Sequence, residues 1–295
     1  MRRLASLLGL LAVASPLVAQ SSVWKVTRGP NTIYVGGTIH LLRPSDFPLP
    51  REFETAFAAS GKLFFETDIA RMQSPEMMQV IATKGIFTDG TTLEKVLTPA
   101  AWRATQAWCE RSGLPIEQVS RMRPWFLTLT MALLELQKLG ISGEGVDVHF
   151  FQRAAAAGKK TGELEPFERH LRFLTELGAG HESEMVAQSV EELDEIPEKL
   201  SGMLAAWKNG DLAQLDTLML QDMRAKHPSI FKELLVDRNK AWVPKLDEML
   251  KTPEVEFVLV GAGHLAGAEG LIAQLRARGC TIEQVRAMPD AKGKK

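Results

Sequence analysis

Two short stretches carry one pattern: "IYVGGTIHLL" at 33–42 and "FVLVGAGHLAG" at 257–267. Each is an apolar run followed by glycine, two residues and histidine, which pairs Gly37 with His40 and Gly261 with His264. Glycine ahead of the histidine lets the backbone turn sharply and approach another group closely. Two acids end strand-like runs of their own, Glu66 in "LFFE" and Glu165 in "KTGELE". Imidazoles and carboxylates together activate water, either directly or on a bound divalent cation, and these four residues alone leave that choice open. Each also has a plain structural reading. Gly and His are common in turns, and a strand-ending acid also belongs at a solvated rim. Glu165 stands before Pro166, where an acid favours a helix N-terminus. Asp68, two residues after Glu66, points to the same side if the strand continues. The repetition of the histidine pattern is what favours chemistry.

The elements around these residues read as α/β. "NTIYVGG" is a strand, "PLPREFETAFAAS" a helix with Pro50 near its start and Gly61 just past its end, and "KLFFETDI" a second strand. From about 75 to 140 the pattern turns helical, with Thr98 capping a helix that opens at Pro99. "RPWFLTLTMALLELQKLG" and "GVDVHFFQRAAAAGK" are further helices, stopped at Gly140 and Gly158. "KTGELE" is a short strand leading into helical "PFERHLRFLTEL", and helices follow over 182–208, 211–225 and 228–250. Strand "VEFVLVG", helix "GAEGLIAQLRARG" and strand "CTIEQVRAM" close the chain, and the tail "PDAKGKK" frays.

No linker rich in Pro, Gly or Ser divides these elements. The expected fold is therefore one α/β domain over 20–295: a mixed central β-sheet built from two weakly duplicated halves, helices packed around it, and a large helical insertion at roughly 70–250. Ligands of open α/β sheets gather beyond the carboxyl ends of the strands, so His40 and His264 are expected across one cleft, each half adding one glutamate.

Other polar residues are more ambiguous. Arg123 precedes Pro124 and Trp125 where a helix opens, and Asp147 in "GEGVDVHF" suits a cap or first-turn acid. Arg238 and Asn239 lie within a helical stretch where Asn has poor propensity, and Trp242 marks a buried face there. His149, His170, His181 and His227 lack a strand-end setting and read as surface or cap residues.

Composition sets the bounds. "MRR" followed by "LASLLGLLAVASPLVA" reads as a cleavable leader over 1–19, so the chain is expected to be exported, to a bacterial periplasm or beyond. Cleavage is placed after Ala19, with Ala14 as the rival site. About 276 residues remain. Loss of Arg2 and Arg3 takes the net charge from −1 to −3, which gives no reason to expect nucleic acid or an anionic membrane as partner. No later stretch approaches the roughly 20 continuous apolar residues of a membrane span. Two cysteines, Cys109 and Cys280, exclude a disulfide scaffold and a thiolate zinc cluster, and are expected as separate buried thiols. Oligomeric state is not legible.

"VGGTIHLL", "LFFETD", "RPWF", "GVDVHF", "GELEPFER", "WKNGDL", "DRNKAW" and "LVGAGHLAGAEGLIAQLRARG" together resemble the TraB/GumN family, over about 23 to 285. That family includes the Tiki metalloproteases and is similar to the erythromycin esterase and ChaN-like superfamily. The resemblance implies a mixed sheet with helical insertions and a divalent-metal-dependent hydrolase, with manganese or cobalt activity in the Tiki branch. By motif, His40 and His264 match the two histidines, Glu66 the acid after the second strand, and Arg238–Asn239 the polar pair before the last histidine. The chain departs from the membrane-tethered Tiki proteins in having no terminal membrane segment, so their Wnt-processing role does not transfer.

On that resemblance, His40, Glu66 and His264 are expected to hold a divalent ion, manganese or cobalt ahead of zinc, with a position open for water. Glu165 is a fourth ligand or general base, and Arg238, supported by Asn239, holds a substrate carboxylate or developing oxyanion. Arg123 and Asp147 orient the ligands. The expected substrate is a peptide, amide or ester. Two alternatives stay open: a metal-free esterase-like hydrolase in which a histidine and Glu66 activate water, and a ChaN-like protein whose histidines face haem or a metal cargo.

Overall fold

The computed structural model describes residues 20–141 and 143–286, so the leader expected at 1–19 and the tail from 287 lie outside the described residues. Within them, β1 (Gln20–Arg28), β2 (Asn31–Thr38), β3 (Lys62–Phe65), β4 (Lys160–Glu163), β5 (Glu256–Gly261) and β6 (Thr281–Arg286) form one sheet. Its order is β4-β3-β5-β2-β1-β6. β2, β5, β3 and β4 run parallel, whereas β1 is antiparallel to both neighbours, which makes the sheet mixed. The halves expected from the repeated pattern interleave: β5 lies between β2 and β3, and β3 lies between β4 and β5.

β5 shows why the sheet is central. Phe257, Val258, Leu259 and Val260 are all fully buried, as a strand covered on both faces requires. Side chains alternate across a strand. Phe257 and Leu259 join one apolar cluster with Phe53, Phe150 and Trp207, while Val258 and Val260 join another with Trp24, Trp242 and Leu271. Fully burying each such side chain contributes about 1.5–3 kcal/mol. Trp207 also donates from Nε1 to the carbonyl of Gly37 at 2.7 Å, tying a helix (Ile196–Asn209) to the end of β2.

The helical insertion has an apolar cluster of its own, in which Trp108, Leu127, Met131 and Val186 are buried. They come from helices Pro99–Ser112, Pro124–Lys138 and Glu182–Glu192. Thr98 caps the first of these, accepting from the backbone N–H of Ala101 at 3.4 Å. Cys109 lies in this cluster and Cys280 in another, both as free buried thiols, as expected.

Three details differ from the sequence reading. β1 adds a strand ahead of the run containing Ile33, and its Val23 and Val26 are fully buried. The expected helix over 182–208 breaks after Glu192, and Pro197 sits in the first turn of the next α-helix. The strand "KLFFETDI" stops at Phe65, and Asp68 caps the short helix Ile69–Met72 instead of pointing alongside Glu66. Among the described residues no helix is long and apolar enough to cross a membrane.

Candidate active site

Each parallel strand ends in one of the singled-out residues. His40 lies two residues past β2, Glu66 directly after β3, Glu165 two past β4 and His264 three past β5. The strand order therefore sets them along one sheet edge as Glu165, Glu66, His264 and His40. The two histidines do meet. The position a Cβ on Gly261 would take is 3.2 Å from Glu66 Oε1, 3.6 Å from His40 Nε2 and 3.7 Å from His264 Cδ2. Glycine is needed there because a side chain would grow into the point the three groups surround. Its backbone N–H also donates to Glu66 Oε1 at 2.6 Å.

His40 is oriented from the helical insertion. Its Nδ1 is 2.8 Å from Asp147 Oδ2, in the first turn of helix Val146–Ala156. With Nδ1–H donating to that carboxylate, Nε2 faces Glu66. The contact depends on Gly145, where a Cβ would fall 2.2 Å from the His40 carbonyl carbon and from the Ile39 oxygen. Those are backbone atoms that cannot step aside.

Helix Asp237–Met249 holds the other imidazole. Asn239 Nδ2 donates to the carbonyls of His264 and Glu269, at 3.1 and 2.9 Å, which leaves Oδ1 to accept from His264 Nδ1 at 2.8 Å. The Nε2 lone pair of His264 then accepts from Arg238 Nη1 at 3.1 Å. Arg238 is buried, its guanidinium stacked 4.6 Å from the centre of Trp242, whose ring also packs 4.5 Å from that of His264. Arg238 Nε donates to both oxygens of Glu165, and Nη2 donates to Glu165 Oε1 and Glu66 Oε2, each at 2.7 Å. Of the five guanidinium N–H groups, one on Nη1 has no protein partner among the described residues.

The sequence matches the TraB/PrgY/gumN family over residues 22–284. The chain belongs to that family. A protein of Treponema pallidum (strain Nichols), described as "Uncharacterized protein", is 25% identical over 273 residues, covering 86% of this chain and 80% of the relative. No solved structure matches significantly.

Electrostatics divide the two imidazoles of this TraB/PrgY/gumN protein. The charge of Asp147 pushes His40 up to about 9. Because 66% of the His40 side chain is exposed, solvent screens this attraction more than the contacts around Arg238. Burial pushes His264 down to about 4, so it is neutral at pH 7. Burial would raise the Glu66 carboxyl, but protonated His264, Arg238, His40 and the Gly261 N–H together hold it well below the usual carboxylate range. Once His264 is neutral, Arg238 and His40 supply that attraction. Glu165 is likewise lowered against its burial, by His170 and Arg238. Arg238 is raised, because Glu66 and Glu165 outweigh the burial that opposes its charge.

The geometry revises several roles. Glu165 is 2% exposed and both its oxygens receive Arg238, with His170 against Oε1, so it positions the arginine. Asn239 orients His264, not Arg238. Arg123 is not brought in: its guanidinium stacks 4.7 Å from the centre of Phe87, and its backbone N–H donates to Gly85. His170, read as a surface or cap residue, belongs to the site. Its Nδ1 lies 2.9 Å from Glu165 Oε1, with Arg238 Nη2 alongside at 3.2 Å. Its place five residues after Glu165, on the first turns of a helix opened by Pro166, was the available signal.

The donor chemistry fits a divalent ion. Both imidazoles have Nδ1 held by an oxygen, which is how metal-binding histidines are oriented, and Glu66 Oε1 completes a nitrogen and oxygen set. Among the described residues, however, no three such groups are drawn close enough to hold an ion as they stand. Arg238 occupies His264 Nε2, so an ion taking that nitrogen requires Nη1 to release it.

Proposed function

We propose that this cleft hydrolyses a peptide, amide or ester bond, and that the protein is exported and acts in a periplasm or outside the cell. The export rests on the leader-like pattern at 1–19. The observation that carries the hydrolase reading is the convergence of His40 Nε2, Glu66 Oε1 and the His264 ring on one point beside Gly261.

In the ion-dependent form of this reading, His40, Glu66 and His264 would hold manganese or cobalt, with zinc also compatible. The ion would polarise the scissile carbonyl and lower the pKa of water. The surrounding residues prepare the site. Asp147 and Asn239 aim the two Nε2 atoms, and Glu165 with His170 fixes the guanidinium plane of Arg238. The remaining Nη1 N–H of Arg238 donates to the oxygen on which charge develops.

A metal-free form is favoured by one observation, the hydrogen bond from Arg238 to His264 Nε2. There Glu66, ionised at neutral pH, orients the attacking water and takes its proton as the carbon–oxygen bond forms. It is a weak base, because Arg238 and His40 hold its carboxyl low. His40, protonated beside Asp147, delivers a proton to the leaving nitrogen or oxygen. The two forms share every residue and separate on one experiment. The protein is assayed on peptide and ester libraries after exhaustive chelation and again after addition of manganese, cobalt or zinc. Activity that returns only with metal supports the first form, and activity that never falls supports the second.

A further inference from the structure

Behind Arg238 lies a cavity of about 570 Å³ that the chemistry above does not use. Its inner wall is the Glu165–Arg238 pair, the same pair that borders Glu66 and His264 on the other side. Arg169, Arg172 and Phe173 of helix Phe167–Glu176 line it, facing Lys232 and Glu233. The charges lining it are unevenly matched. Lys232 is paired with Asp237, and Arg238 is spent on two glutamates. Arg169 reaches Glu165 only at 4.0 Å. The guanidinium of Arg172 has no hydrogen bond or ion pair among the described residues, since only its carbonyl is engaged, by Thr175. Among the described residues lining it, Glu233 is the acid whose side chain has no hydrogen bond or ion pair, set against these two arginines.

We propose that this cavity is the recognition subsite for a carboxylate carried by the substrate, received by the planar forks of Arg172 and Arg169, which bind carboxylates in a bidentate manner. Phe173 supplies the apolar wall for the neighbouring side chain. The proposal rests on the hydrolase reading of the adjoining cleft and adds the substrate class: a short peptide or amino-acid conjugate with its anion one or two residues from the scissile bond. Arg238 lines the cavity and also touches Glu66 and His264 of the cleft, and an extended chain covers about 3.3–3.6 Å per residue.

The test is equilibrium binding by titration calorimetry to the full chain, which needs no turnover. The probes are acetylated dipeptides with a free C-terminal carboxylate, the same dipeptides as C-terminal amides, and amidated dipeptides ending in Glu. The free-carboxylate probe should bind at least tenfold more tightly than its amide, and the preference should weaken as salt rises. Arg172→Ala should remove the preference, and Arg172→Lys should restore only part of it, while the denaturation midpoint stays unchanged. Equal rescue by the Glu-ending amide assigns the subsite to carboxylates of either origin; no rescue restricts it to chain termini. Equal binding of acid and amide, no binding of any probe, or a preference that survives Arg169→Ala/Arg172→Ala overturns the proposal. Selective binding without hydrolysis of any probe leaves the subsite standing and counts against the hydrolase reading instead.

Discussion

Asn239 fixes the proton of His264. The amide nitrogen of Asn239 is committed to two carbonyls, so its oxygen is the acceptor facing His264 Nδ1 at 2.8 Å, and the ring carries its proton on that nitrogen. The neighbouring residue, Arg238, takes the other nitrogen. Two consecutive side chains of one helix thus decide both faces of a buried imidazole.

Asn239→Ala should free the tautomer and strand two polar groups, the His264 carbonyl and its Nδ1–H, while the Glu269 carbonyl keeps Gln274. Leaving buried donors and acceptors unsatisfied costs about 1–3 kcal/mol each, so the denaturation midpoint should fall clearly. Nitrogen-15 spectra should show His264 protonated at Nδ1 in the wild-type protein at pH 7 and a mixture of tautomers in the variant. An Nε2-protonated ring in the wild-type protein would contradict the assignment.

Gly145→Ala should uncouple Asp147 from His40. The added carbon meets backbone 2.2 Å away, so the segment must shift, at a cost of about 1–3 kcal/mol. The His40 pKa, read by proton NMR titration, should then drop from about 9 toward the ordinary histidine value. Asp147→Asn should lower it too, with less effect on stability.

Arg238→Met should be among the most damaging single changes. It leaves Glu66 and Glu165 buried without their shared counter-ion, and breaking a buried ion pair from one side costs about 3–5 kcal/mol. Arg238→Lys should keep most of the stability and lose rate, because an ammonium cannot span two carboxylates and an imidazole with a planar fork. Chemical denaturation beside turnover separates the two effects.

Acid should weaken the fold through Asp46. Burial would raise its pKa, but Arg43 and Lys208 together hold it at about 2, against an ordinary 3.8. A folded pKa below the unfolded one means the stabilisation is complete above about pH 4 and is lost as pH falls toward 2. Both partners are partly exposed, so screening limits it to about 1–2 kcal/mol. Asp46→Asn should lower stability at pH 7 by that amount and leave stability at pH 2 nearly unchanged.

Much of the site was legible because it is local to strand ends. Gly37 with His40, Gly261 with His264, and Glu66 after an apolar run each announce themselves within ten residues. What was hidden depends on long-range packing. The sequence marks Asp147 as orienting a ligand, but only the fold shows that it is His40 it meets, across 107 residues, and its neighbour Gly145 is explained only by the backbone it presses against. His170 joins the site through Glu165 and Arg238, although its helical setting resembles that of any surface histidine. Arg123 looked like a member because a polar residue before Pro-Trp is conspicuous, yet helix Pro124–Lys138 directs it to Phe87 in the insertion. β1 went unread because its alternation follows directly on the leader-like run.

The most direct test of the hydrolase reading is the rate of cleavage of a peptide and ester library by the wild-type protein and by the His40→Ala/His264→Ala double variant, each supplied with manganese. Because His264 is buried against Trp242, the rates are compared on variant protein shown by circular dichroism to be folded under the assay conditions. The account predicts measurable wild-type turnover that falls at least a hundredfold in the variant. Wild-type turnover matched by the folded double variant, or no cleavage of any substrate by the wild-type protein under these conditions, would contradict it.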